Sequence, residues 1–233
     1  MTALGNPPPP KDHRAALAQY RHRAPHYDRE LAMFEPCRRA AIASLALKCG
    51  DVVLDVGCGT GLSFALLVEG VGARGRIIGI EQCPEMIERG RRCVLRQGWR
   101  NVTLIEASAE AAKIAGTADA ALFHFTHDIL CDPLALGNVT RSLRPGAHVV
   151  ACGLQWASPW AWPLNLLVLS AALHSVSSLD GLDRPWRGLA GHIDNLRVDT
   201  MMAGAVYLAS GEMPRPPGLR RDAPSAETAH EDS

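Results

Sequence analysis

Between residues 51 and 152, short apolar runs alternate with longer stretches in which apolar residues return every three or four positions. That alternation predicts strands separated by helices. The strands are expected at 51–56, 76–80, 102–105, 120–125 and 148–152. The helical stretches begin earlier, with 13–34, broken near Pro25, and then a helix that has Pro36 at its first helical position and turns Ile42 and Leu45 inward. Residues 62–69 carry Leu62, Phe64, Ala65, Leu66, Leu67 and Val68 around most of a helix, with Ser63 the polar exception, so that helix should be largely buried. A further helix over 84–97 starts with Pro84 and aligns Met86, Gly90 and Val94. Asp132 and Pro133 cap another, with Leu136, Val139 and Leu143 on one face.

Strands that alternate with helices make a parallel sheet. The last two strand-like runs, 196–202 and 205–209, are separated by only a few residues around Gly204, which permits a hairpin and no helical crossover. The expected architecture is an α/β, doubly wound, mostly parallel seven-stranded sheet finished by a C-terminal antiparallel hairpin. Ligands of such sheets bind at the C-terminal ends of the first strands. The proline run at 7–10 and the Pro-, Arg-, Ser- and Glu-rich end mark residues 1–11 and 211–233 as flexible tails around one domain, 12–210.

Charge and cysteine content narrow the partners. The 24 Lys and Arg balance 24 Asp and Glu, leaving no net charge to attract a polyanion, so no nucleic-acid partner is expected. The longest strongly apolar stretch, 160–173, is interrupted by Pro163 and Asn165 and falls short of the ~20 residues of a bilayer span. The N-terminus does not read as a secretory signal, and the seven cysteines are scattered without a CxxC pair. Both observations suit a cytoplasmic protein with reduced thiols and no metal site.

The densest chemistry lies at 53–61, Val-Leu-Asp-Val-Gly-Cys-Gly-Thr-Gly: a strand, an acid near its end, and three alternate glycines ahead of a helix. Glycines let the backbone turn tightly and let a ligand approach the main chain, while the free N–H groups of the next helix can meet a carboxylate. A nucleotide-like ligand is implied. The dinucleotide fingerprint would need glycine where Leu62 stands, which makes nicotinamide and flavin cofactors the weaker fit. Glu81 closes the second strand about twenty residues on, where an acid can accept ribose hydroxyls.

The ordered series VLDVGCGTG, GIEQCPEMIERGRR, VTLIEASAE, DAALFHFTHD and SLRPGAHVV resembles the successive motifs of class I S-adenosylmethionine-dependent methyltransferases of the small-molecule type, over roughly residues 20 to 210. The resemblance implies S-adenosyl-L-methionine as cofactor. It also implies that Gly57, Gly59 and Gly61, with Cys58 between them, pass beneath the methionine portion, and that Asp55 contacts its amino group or an ordered water. Glu81 would hold the ribose, with Gln82 and Met86 bordering the adenine. Ala107 and Ser108 stand where the adenine amino group is held; the family often has Asp at the latter place, and the Ser108 oxygen can accept the same bond. His124 occupies a place where the backbone faces the methionine amino group, and Tyr27 resembles a tyrosine that closes over the cofactor.

Methyl transfer from a sulfonium is an in-line displacement, so the protein mainly holds the reactants in line and no universal catalytic residue is required. If the acceptor must lose a proton, His127 is the best-placed base, because an imidazole titrates near neutrality; the competing account is a structural hydrogen-bonding residue at the cleft edge. Trp156, Trp160, Trp162 and Trp186, with Leu164, Leu166, Leu167, Leu169 and Leu173, form the expected substrate cover, dense enough in apolar groups for an apolar or aromatic small molecule; the competing account is that the leucines pack on the sheet as ordinary core and leave Trp156, Trp160 and Trp186 to the pocket. The alternatives are a methyltransferase acting on protein or RNA, and a non-catalytic protein that binds the cofactor.

Overall fold

The computed structural model describes residues 31–157, 165–166, 168–169 and 181–216. A 3₁₀ turn, Leu31–Phe34, leads into α1 (Glu35–Ser44). Then follow β1 (Val52–Val56), α2 (Phe64–Val71), β2 (Arg76–Glu81), α3 (Pro84–Gln97), β3 (Val102–Glu106) and β4 (Ala118–His124). Two short helices, α4 (His127–Leu130) and α5 (Pro133–Arg141), precede β5 (Leu143–Leu154). A 3₁₀ turn at Pro185–Gly191 leads to β6 (Asp194–Met201) and β7 (Val206–Glu212).

The seven strands lie in the order β3-β2-β1-β4-β5-β7-β6. The first five pair in parallel, and β7 joins β5 and β6 antiparallel. Chain direction across the sheet reverses between β1 and β4, which opens the crevice in which ligands of such sheets bind. The pleat sorts side chains strictly. Val53, Ala120, Leu122, Val150 and Cys152 join the core under α1 and α2, while Leu54, Ala121, Phe123, Val149 and Ala151 join the core around α5. Period-two alternation with both faces apolar is what a central parallel sheet requires.

Several sequence expectations shift. Helix α2 starts at Phe64, and its circumference is not uniformly buried: Ala65 is exposed, whereas Ser63, the supposed polar exception, is buried just ahead of the helix. Leu143 does not share the α5 face with Leu136 and Val139, because it is already the first residue of β5; Ala135 takes that place. Asp132 does cap α5, its Oδ1 accepting from the amide of Leu134 at 2.9 Å. Strand β5 is 12 residues long, reaching back through Arg144-Pro145-Gly146, where no strand was expected. Strand β7 runs to Glu212, and the Met213 amide donates to the Ala147 carbonyl at 2.8 Å, so the ordered sheet passes the expected tail boundary at 210.

Gly79, in the middle of β2, pairs with Asp55 of β1 across the sheet. A Cβ there would lie 2.8 Å from both the Cys58 Sγ and Leu104 Cδ2 and 3.1 Å from Phe64 Cζ, so the missing side chain is what lets the loop after β1 fold down onto the sheet. Gly79→Ala is therefore expected to destabilise the protein by about 1–3 kcal/mol through overpacking. Urea denaturation should show a lower midpoint with an unchanged slope; an unchanged midpoint would mean the loop can lift without cost.

Candidate functional site

The loop after β1 is shaped by three left-handed glycines, Gly57 (φ 72°), Gly59 (φ 56°) and Gly61 (φ 85°). A Cβ on Gly57 would collide with the Thr126 side chain, and one on Gly61 with the Phe64 ring, so both positions need glycine for space as well as for conformation. The amides of Gly57 and Cys58 both donate to the Ile80 carbonyl, at 2.8 and 3.0 Å, tying the loop to the end of β2. Glu81 follows directly. Its Oε2 accepts from the Gly59 amide at 3.0 Å and its Oε1 from the Cys83 amide at 2.7 Å. Burial pushes the Glu81 carboxyl above its usual range, and the amides of Cys83, Gly59 and Gln82 pull it back.

The pleat decides what lies beneath this loop. Asp55 is two residues beyond Val53, and His124 two beyond Leu122, so both belong to the face covered by α1. On that face α1 presents Arg38, 4% exposed, whose Nη1 donates to Glu35 Oε2 while Nε and Nη2 have no partner among the described residues. Asp55 Oδ2 and His124 Nε2 are likewise buried without a partner. Arg38, Asp55 and His124 line one small cleft with Gly57, Cys58, Gly59, Thr60, Leu62 and Ser63.

Burial raises the Asp55 carboxyl to about 7, with Arg38 opposing the rise and Glu81 adding to it. Burial, and then Arg38, lowers the His124 imidazole to about 3, so this ring is neutral at physiological pH. A cationic fork and a carboxylate with open valences, in one dry cleft and not paired with each other, are complementary to an α-amino-acid zwitterion. The carboxylate end of such a ligand matches Arg38, and its ammonium matches Asp55.

Arg38 was not picked out in the sequence, although the signal was there. With Ala41, Ile42 and Leu45 it forms the i, i+3, i+4, i+7 stripe of α1, and a cation on an otherwise apolar stripe marks a buried charge.

The remaining expected site residues divide. Gln82 lies half-buried beside Glu81, and the Ala107 amide donates to the Glu81 carbonyl at 3.1 Å, which brings Ala107 and Ser108 to the same rim. Met86 is enclosed at 2% exposure. Tyr27 lies outside the described residues, as do Trp160, Trp162, Leu164, Leu167 and Leu173.

His127 is buried at the start of α4, does not line the glycine cleft, and sits with Nε2 3.5 Å from Cys131 Sγ. Its separation from His124 follows from Phe125, which adopts φ 58° and breaks the direction of the chain. The Phe125 ring packs against Phe34 at 4.7 Å and against His124 at 4.8 Å. A left-handed phenylalanine is an outlier of the kind concentrated at functional sites. Of the expected cover, Trp156 is tied down by its amide to the Leu182 carbonyl at 3.0 Å, and Trp186 packs on Tyr207 at 5.2 Å as part of the α5-side core; Leu166 is exposed.

Residues 53–146 match the family model described as the methyltransferase domain. Aklanonic acid methyltransferase DauC from a Streptomyces species is 36% identical over 85 residues, 36% of this chain and 39% of that protein. A protein-L-isoaspartate O-methyltransferase from Ignicoccus hospitalis is 39% identical over 64 residues, 28% of this chain and 30% of the relative. The matched region thus spans well under half the length of these curated relatives. Among solved structures, the N-methyltransferase NodS from Bradyrhizobium japonicum in complex with S-adenosyl-L-homocysteine shares the fold, with a TM-score of 0.59 and 16% identity over 88% of this chain and 100% of that one.

The carboxyl of Asp55 gives a pH test. A carboxyl near 7 in the folded state and near 3.9 in the unfolded chain binds more protons when folded across that window. Stability contributed by this group therefore falls as pH rises from 4 to 7. Asp55→Asn, which removes the buried charge, should be more stable than the parent at pH 8, by up to about 4 kcal/mol, and the advantage should shrink toward pH 4. Urea titrations across that range check this, and a difference independent of pH would show that Asp55 is already paired.

Proposed function

We propose that this chain, which carries a class I S-adenosylmethionine-dependent methyltransferase domain, transfers a methyl group to an apolar or aromatic small molecule. The observation that carries the cofactor assignment is that Arg38 Nε and Nη2 and Asp55 Oδ2 are buried without a partner among the described residues, beneath a left-handed glycine loop whose third residue, Gly59, is bonded to Glu81. When bound, S-adenosyl-L-methionine supplies a methyl group on a sulfonium, reactive enough that the protein need only align it.

Each residue then has a physical part. Arg38 binds the methionine carboxylate through Nε and Nη2, and Asp55 takes the ammonium, which compensates the burial of both side chains. The neutral His124 ring offers Nε2 as a further polar contact at the same end. The Glu81 oxygens, held by the amides of Gly59 and Cys83, keep lone pairs for the two ribose hydroxyls. Gln82 and Met86 border the adenine, Ala107 and Ser108 meet its amino group, and Tyr27 closes over the ligand. Gly57, Cys58, Gly59 and Gly61 keep the backbone low enough for the ligand to lie on it.

A small-molecule acceptor is supported by the absence of net charge and by the apolar composition of residues 156–173. The Streptomyces relative, an aklanonic acid methyltransferase, points the same way, and the Ignicoccus relative, a protein-L-isoaspartate O-methyltransferase, makes a protein acceptor the second reading. No helix among the described residues is long and apolar enough to cross a membrane. His127 serves as base only if the acceptor reaches the α4 side of the cleft.

Calorimetric titration with S-adenosylmethionine, S-adenosylhomocysteine and NAD tests the reading: the first two should bind and NAD should not, and binding of NAD alone would replace methyl transfer with hydride transfer. Glu81→Ala should weaken S-adenosylhomocysteine binding by about 1.5–3 kcal/mol, the scale of hydrogen bonds to a charged group. Gly59→Val should abolish that binding while the far-ultraviolet circular dichroism is retained, because the side chain would occupy the ligand's place.

A further inference from the structure

A second cleft, of about 480 Å³, opens on the other side of α4, between α4, α5 and the 3₁₀ turn Pro185–Gly191. The short helix divides the two cavities. Thr126 and Ile129 pack toward Gly57 of the glycine loop, whereas Leu130 and Cys131 face the second cleft. Its floor is apolar, formed by Leu130, Leu136 and Pro185. Arg184 and Arg187 stand in its wall together with Asp183.

The turn that carries the arginines is fixed. Pro185 and Leu189 are buried, and a Cβ on Gly188 would collide with the Leu130 carbonyl, so the turn lies flush against α4 only because position 188 is glycine. Neither arginine makes an ion pair with a described residue, in contrast to Arg39, Arg91, Arg92, Arg144 and Arg215, each of which has a carboxylate within 4 Å.

We infer that this cleft binds an organic monocarboxylate with an apolar body. Its volume lies within the ~300–1,000 Å³ typical of small-molecule sites. Two arginines against one aspartate leave these three side chains with a single positive charge, which matches a monoanion. The planar guanidinium fork donates two parallel hydrogen bonds to a carboxylate, and the apolar floor selects an organic body over an inorganic ion. The site stands apart from the glycine loop and does not depend on the methyl-transfer reading.

Cys131, exposed in the wall of the cleft, reports on it without any assay of turnover. The full chain is alkylated with iodoacetate and, separately, with iodoacetamide, and labelling is resolved by peptide mass spectrometry, with the exposed Cys49 as reference. The iodoacetate-to-iodoacetamide rate ratio should be higher at Cys131 than at Cys49 by roughly threefold or more, because two cations lie within a Debye length. Naphthalene-2-carboxylate should protect Cys131, and naphthalene-2-carboxamide should not. The double variant Arg184→Ala/Arg187→Ala should lose both the ratio and the protection while keeping the parent's urea midpoint; should that variant fail to fold, Arg187→Gln alone must lower the ratio. Equal ratios at the two cysteines, or protection that ignores the carboxylate, would overturn the assignment.

Discussion

Two unlike charges are enclosed by the same face of one sheet and do not pair with each other. Asp55 is placed there by the strict alternation of β1, and Arg38 by the apolar stripe of α1 that packs on it. Burying either group without a full set of partners is costly, and the neighbouring Glu81 makes the ionised form of Asp55 harder still to hold. Much of the nearby sequence serves to bring backbone close to these groups. Gly79 clears space under Cys58, and Gly90 of α3 has room for a Cβ only 3.4 Å from the Gly59 carbonyl. The rest of the α/β framework fixes that enclosure in position.

The framework was largely legible in the chain because buried parallel strands and their helices are written in local apolar periods. The alternation of strands with helices, the closing hairpin and the proline-led start of α3 follow from such patterns, whereas the order β3-β2-β1-β4-β5-β7-β6 is not written in them, and α1 begins at Glu35, one residue before the proline expected to lead it. What local pattern could not give was the direction in which a side chain points once the chain turns. His124 and His127 are three residues apart and look like members of one cleft, but the left-handed Phe125 sends them to different sides of α4. Ser63 reads as the one polar blemish on an apolar helix, yet lies buried at its entrance, lining the glycine-loop cleft. Arg38 was overlooked for the opposite reason. Its neighbours Ile42 and Leu45 announce a packing stripe, and a single cation on such a stripe is masked by the Glu35 three residues before it, which supplies only one of its partners.

Helix α4 stands between the glycine loop and the arginine-bearing turn, and it has only four residues. A helix that short has no stability of its own, so its position is the balance of what packs on either side of it. On one side are Gly57 and the glycine loop; on the other are Gly188 and the arginine-bearing turn. Both contacts are backbone-close, and each is permitted by a glycine.

The left-handed phenylalanine carries a consequence for how this protein can change. Glycine or asparagine would adopt the Phe125 backbone with less strain, so a lineage under pressure for heat resistance alone gains by exchanging it. Such an exchange discards the ring that packs against Phe34 and against His124, which lines the cleft. Durability and ligand handling thus pull in opposite directions at one residue, and variants recovered after thermal selection would record at position 125 which of the two the cell had been protecting.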